Sequence, residues 1–203
     1  MSFNVFGVRL KISFLFVAFL SLTVLFDSDF RLLFCLISGL IHEAGHITAM
    51  IISGLKPDCV SFKPFDIVIT HSGRCLCRDN ASLFIILAGV LANIIFSVLF
   101  FLIGFIAGIG QFYLFASINA VTAVFNLIPA SNLDGGQAVY LLLSKKLSLK
   151  TTDRIITALT LAAFFPAFVT GFLILFYSPY NFSLLILSIY LLLSVFLKEN
   201  KYY

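Results

Sequence analysis

The chain has 203 residues, 61% of them hydrophobic and 11% charged, with a mean hydropathy of +1.12. A soluble domain is roughly half apolar and a quarter charged, so this composition excludes one and puts the chain in a lipid bilayer. The net charge of +4 does not point to nucleic acid, because the basic residues are scattered and flank apolar segments instead of gathering into a stripe.

A hydrocarbon core about 30 Å thick needs about 20 helical residues. Six spans are predicted, at about 9–26, 31–53, 82–109, 112–128, 155–177 and 182–197. Arg9 and Lys11 precede the first apolar run, as in a signal peptide. Phe26-Asp27-Ser28-Asp29 offers no small-residue cleavage site, however, so an uncleaved anchor is expected. With both termini cytoplasmic, Arg31 is the single member of the 13 lysines and arginines on the outer side, which is the positive-inside pattern.

The second span carries His42-Glu43-Ala44-Gly45-His46, a polar cluster inside an apolar helix. Residues i and i+4 share a helix face, so both imidazoles can reach one ion. Glu43 is rotated from His42 by about 100°. It is placed to accept a proton from the attacking water and not to bind the metal. Inserting an ionisable residue at this depth costs about 2.5–3.5 kcal/mol, and such residues usually face a cavity and carry function.

Residues 55–80 form the one sizeable loop. Val60 to Lys63 alternates, Asp66 to Thr70 is rich in β-branched residues, and Ser72-Gly73 suits a turn before Arg74 to Arg78. A short cytoplasmic β ribbon is predicted there, whose edge would pair with an extended peptide. His71 reads as a solvated side chain. The four cysteines, Cys35, Cys59, Cys75 and Cys77, make no C-x-x-C pair and read as reduced thiols.

The third span holds Gly89 and Asn93; small residues allow close helix contact, and Asn93 puts an amide inside the membrane. The fourth ends in Phe125-Asn126-Leu127-Ile128-Pro129-Ala130-Ser131-Asn132-Leu133-Asp134-Gly135-Gly136, where Pro129 and the glycine pair break the helix. Asp134 is placed to cap a short helix through about Leu143. Catalytic zinc sites use three protein ligands plus water, so two histidines leave one ligand to find. Asp134 lies at the boundary nearer the histidines and is the best candidate. Asp58, Asp66, Asp79 and Asp153 remain open in polar loops. The last two spans hold no charged residue; Pro166 and Gly171 are expected to kink the fifth.

His42-Glu43-x-x-His46 followed by Asn126-x-x-Pro129 and Asp134-Gly135 resembles the site-2 protease family of intramembrane zinc metalloproteases. The resemblance covers about residues 30–145 and looks most like the sporulation branch, without a PDZ or CBS domain. It implies an all-α polytopic membrane fold, and one zinc ion on His42, His46 and Asp134 with Glu43 as base. Gly89 and Asn93 match the family's Gly-x-x-x-Asn element, and Asn93 and Asn126 become candidates to support substrate or transition state. Val90, Asp66 and Ser131-Asn132 depart from residues common in the family.

The whole chain is then expected to be one membrane-embedded protease domain, with a catalytic core at about 30–145 and packing helices at about 155–197, in a bacterial cell membrane. Its partners would be the bilayer, a membrane-associated protein substrate such as a pro-sigma or anti-sigma factor, and a membrane regulator or inhibitor. Thr48, Ser131 and Asn132 are candidates to line a water route. Two other classes fit less well. A metal-ion transporter would bring repeat symmetry and a second histidine cluster, and an inactive binding module would not keep a full set of ligands and base.

Overall fold

A computed structural model describes residues 2–5, 8–14, 17, 21, 30–55, 59–63, 66–70, 79–177 and 189. The chain divides into two compact units, Met1–Val124 and Phe125–Tyr203.

The first unit opens with strands β1 (Ser2–Val5) and β2 (Val8–Ile12). Residues 9–12, expected to begin the first span, are therefore strand. Their sequence explains it: Val8, Leu10 and Ile12 alternate with Arg9 and Lys11, a period of two that no helix can sort onto one face. Strands β3 (Cys59–Lys63) and β4 (Asp66–Thr70) complete a sheet ordered β1-β2-β3-β4. β3 and β4 pair antiparallel, with Lys63 opposite Asp66, and β2 pairs parallel with β3, with Arg9 opposite Cys59. The pairing with N-terminal strands has no counterpart in the sequence reading. His71, the Ser72-Gly73 turn, Cys75, Cys77 and the sixth span fall outside the described residues, apart from Ile189.

Three described helices are long and apolar enough to cross a membrane: Arg31–Ile52, Ala81–Ala107 within a longer helix, and Leu149–Ile174 within another. The first, α1 (Arg31–Ile52), ends where Gly54 takes φ 79°. The Leu55 N–H donates to the Met50 carbonyl and the Gly54 N–H to that of Ile51, closing the last turn in a Schellman motif. Next come α2 (Asp79–Ala107) and α3 (Gly110–Asn126), joined through Gly108 at φ 67°. α3 is 17 residues long, and its last two belong to the second unit.

Close packing of α1 on α2 depends on Gly45. A Cβ there would meet the Ala88 carbonyl oxygen at 2.6 Å and the Ala92 Cβ at 2.8 Å. Phe34, Phe100, Phe112 and Phe115 join α1, α2 and α3, with ring centroids 4.7–5.9 Å apart. A polar bond crosses the same helices. The buried Ser38 hydroxyl donates to Asn119 Oδ1 (3.2 Å) and lies 3.1 Å from Thr122 Oγ1. One face of α2, including Ile95, Val98, Leu102 and Ile106, is apolar and exposed, as a lipid-facing surface must be.

The second unit holds α4 (Asp134–Ser144) packed against α5 (Leu149–Tyr177). Pro166 lies inside α5 without ending it. Ala130, Leu133 and Phe164 form a small core with Phe125, Ile128 and Ala163 against it.

Candidate metal centre

His42 and His46 lie on one face of α1, one turn apart. His42 is buried and His46 half-buried. Their Nε2 atoms stand 3.2 Å apart, with the rings nearly perpendicular (86°). Two nitrogens bound to one tetrahedral zinc at about 2.0–2.1 Å would stand about 3.3 Å apart, so the pair has the spacing of two ligands sharing an ion.

The tautomer of His46 follows from its other nitrogen. Nδ1 is 2.8 Å from the Ile85 carbonyl oxygen, which can only accept. Nδ1 therefore carries the proton, and the Nε2 lone pair is left for a metal, the arrangement usual for ligating histidines. His42 Nδ1 is approached at 3.4 Å by the amide of Asn93, a residue with no solvent exposure.

Room for both rings comes from Gly89. A Cβ at this position would overlap His46 Nε2 and would meet the Cε1 atoms of His42 and His46 at 2.8 Å each. The sequence marks Gly89 as a small residue; its steric reason is visible only with the imidazoles in place. Glu43 is half-buried on α1, next along the chain from His42.

The other two sequence candidates belong to the second unit. Asn126 ends α3 and is half-buried. Asp134 is the first residue of α4 and is buried. It is not the helix cap, contrary to one reading of the sequence: Leu133 holds that position in extended backbone, with no side-chain cap. An acid in the first turn sits favourably at the positive end of the helix dipole.

The turn before Asp134 is closed by the Leu133 N–H donating to the Ala130 carbonyl (2.9 Å). It is tied to α5 by the Ser131 N–H, which donates to Thr160 Oγ1 (3.0 Å). Thr160 in turn donates to the Ile156 carbonyl (2.7 Å). The glycine pair is required here too, since a Cβ on Gly135 or Gly136 would overlap the Leu127 or Ala130 carbonyl. Thr160, Ser38 and Asn119 escaped the sequence reading. The available signal was a hydroxyl or amide inside a span without charges. The Ile85 carbonyl left no signal at all. Of the water-route candidates, Thr48 and Asn132 are exposed and Ser131 is buried.

No protein-family model matches the chain. Stage IV sporulation protein FB of Bacillus subtilis (strain 168) is 29% identical over 170 residues, which is 81% of this chain and 57% of that protein. The chain thus spans a little over half the length of the curated relative. A solved structure, a site-2 protease from Methanocaldococcus jannaschii, superposes with a TM-score of 0.70 at 22% identity, over 97% of this chain and 94% of that one. The fold is that of a site-2 protease, the family whose motifs the sequence resembles.

Proposed function

We propose that the chain is an intramembrane zinc metalloendopeptidase that cleaves a membrane-associated or transmembrane protein near the cytoplasmic face. The observation that carries this reading is the histidine pair: two Nε2 atoms 3.2 Å apart in a helix apolar enough to span a membrane. The donor set supports it as well. His42, His46 and Asp134 are the three ligands proposed for one ion. Two imidazoles and a carboxylate, with a fourth position open to water, are a catalytic zinc donor set.

Zinc, when bound, supplies the Lewis acid that activates water and polarises the scissile carbonyl. The remaining work belongs to the chain. Glu43 accepts the proton of the attacking water and delivers it to the leaving amine. Asn126 donates to the oxyanion. Asn93, buried beside His42, is better suited to holding that ligand than to meeting substrate.

The substrate must be extended at the scissile bond, because a helical peptide group is shielded by its own hydrogen bonds. Among the described residues β4 is an edge of the sheet, and it is the proposed site for pairing with the unwound segment. Six spans, cytoplasmic termini, a bacterial membrane and a single functional domain complete the proposal. The name of the relative adds the suggestion of a sporulation pathway; the resemblance to the family suggests a pro-sigma or anti-sigma factor as substrate, and a membrane protein is proposed as regulator.

The test uses purified protein in detergent with labelled transmembrane peptides. Wild type should cleave, while Glu43→Gln and chelator-treated protein should not. Metal flux in proteoliposomes without cleavage would instead identify a transporter, and zinc uptake without either would identify a binding module.

A further inference from the structure

Ile85, Gly89 and Asn93 are spaced four apart on α2 and form one stripe facing the histidine pair. The Ile85 carbonyl takes the His46 Nδ1 proton, and Gly89 leaves the space that the rings fill. Asn93 stands at the position corresponding to Ile85, next to the other imidazole.

In one orientation the Asn93 amide has its nitrogen 3.4 Å from His42 Nδ1, with Oδ1 buried and lacking a hydrogen-bond partner. A donor at that nitrogen would require an Nδ1 lone pair and put the ring proton on Nε2. Nε2 would then point an N–H at His46 Nε2, 3.2 Å away, and could not bind a metal. Rotating the carboxamide by 180° exchanges oxygen and nitrogen without changing its shape. Oδ1 then accepts the Nδ1–H of His42. Oδ1 gains a partner, the amide nitrogen takes the place that Oδ1 had, and the Nε2 lone pairs of both histidines face the same point.

We propose that Asn93 is a positioning residue for His42, its side-chain oxygen accepting the Nδ1 proton and so fixing the metal-binding tautomer. It does for His42 what the Ile85 carbonyl does for His46. The inference rests on the zinc reading, and its two tests separate the fates of the two ideas.

The first test measures zinc affinity in detergent by competition with a chelator. Asn93→Leu, close in size but unable to accept, should bind zinc about 10–100-fold more weakly. Asn93→Asp should stay near wild type, since a carboxylate accepts the same proton; a merely space-filling role would not favour Asp over Leu. Equal affinity in wild type and Asn93→Leu, or equal loss in both variants, overturns the proposal. The second test is 15N NMR of histidine-labelled, metal-free wild type, which needs no variant to fold. His42 should carry its proton on Nδ1, and an Nε2–H tautomer overturns the assignment. If wild type takes up no zinc, the protease reading fails, while the NMR result still decides the hydrogen bond.

Discussion

Replacing Gly89 by Ala adds one carbon where the imidazoles sit. That carbon would lie 2.8 Å from the Cε1 atoms of both His42 and His46 and would overlap His46 Nε2. Carbon atoms in good contact stand about 3.5–4.0 Å apart, so the rings must retreat by about 0.7–1.2 Å. Metal–ligand distances tolerate about 0.2 Å. The shift is several times larger, and zinc affinity should fall by about 100-fold, or about 2.7 kcal/mol. The helix itself should not suffer, because Ala is favoured over Gly in a helix interior by roughly 0.5–1 kcal/mol. Gly39→Ala is the matched control. It lies on α1 and its added Cβ meets nothing within 4 Å. Chelator competition and zinc content per chain are the measurements. Wild-type affinity in Gly89→Ala would refute the reasoning, as would an equal loss in Gly39→Ala.

Other consequences are as specific. Glu43→Gln should retain zinc and lose peptide cleavage by at least about 100-fold, read by metal analysis and peptide hydrolysis on the same preparation. Thr160→Val leaves the buried Ser131 N–H without its acceptor and should destabilise the turn before Asp134 by roughly 1–3 kcal/mol, read as earlier thermal unfolding in detergent. Ser38→Ala removes the polar link from α1 to α3 and should cost about 0.6 kcal/mol, measured by the same unfolding assay; interhelical bonds in membranes average near that value. Removing zinc with a chelator should lower the unfolding temperature, and re-adding zinc should restore it, because a ligand bound only by the folded state stabilises it.

Much of the scaffold was legible because bilayer helices announce themselves by length and apolarity. The end of α1 at Ile52 and the break after Asn126 carry explicit punctuation, in Ser53-Gly54 and in Pro129 with the glycine pair. The strand at Val8–Ile12 was hidden because an apolar run follows it directly, and averaging over a span-length window erases a five-residue alternation. Its partner β3 lies some fifty residues away, a pairing that no local pattern encodes. At the site, the i, i+4 histidines were readable since helical spacing alone puts them on one face. Their orientation was not, because it is set by a main-chain carbonyl at Ile85, by the absence of a side chain at Gly89, and by a buried amide on another helix. Thr160 was opaque for a related reason. Its hydroxyl bonds a backbone N–H 29 residues away, and a threonine in an apolar helix usually bonds only its own preceding turn.

X-ray absorption at the zinc edge of the purified chain decides whether the ligands are those named. One zinc per chain is expected, with two imidazole nitrogens and a carboxylate oxygen at about 2.0–2.2 Å, and with occupancy falling sharply in Asp134→Ala. A chain that takes up no zinc, or an unchanged coordination sphere in Asp134→Ala, would contradict it.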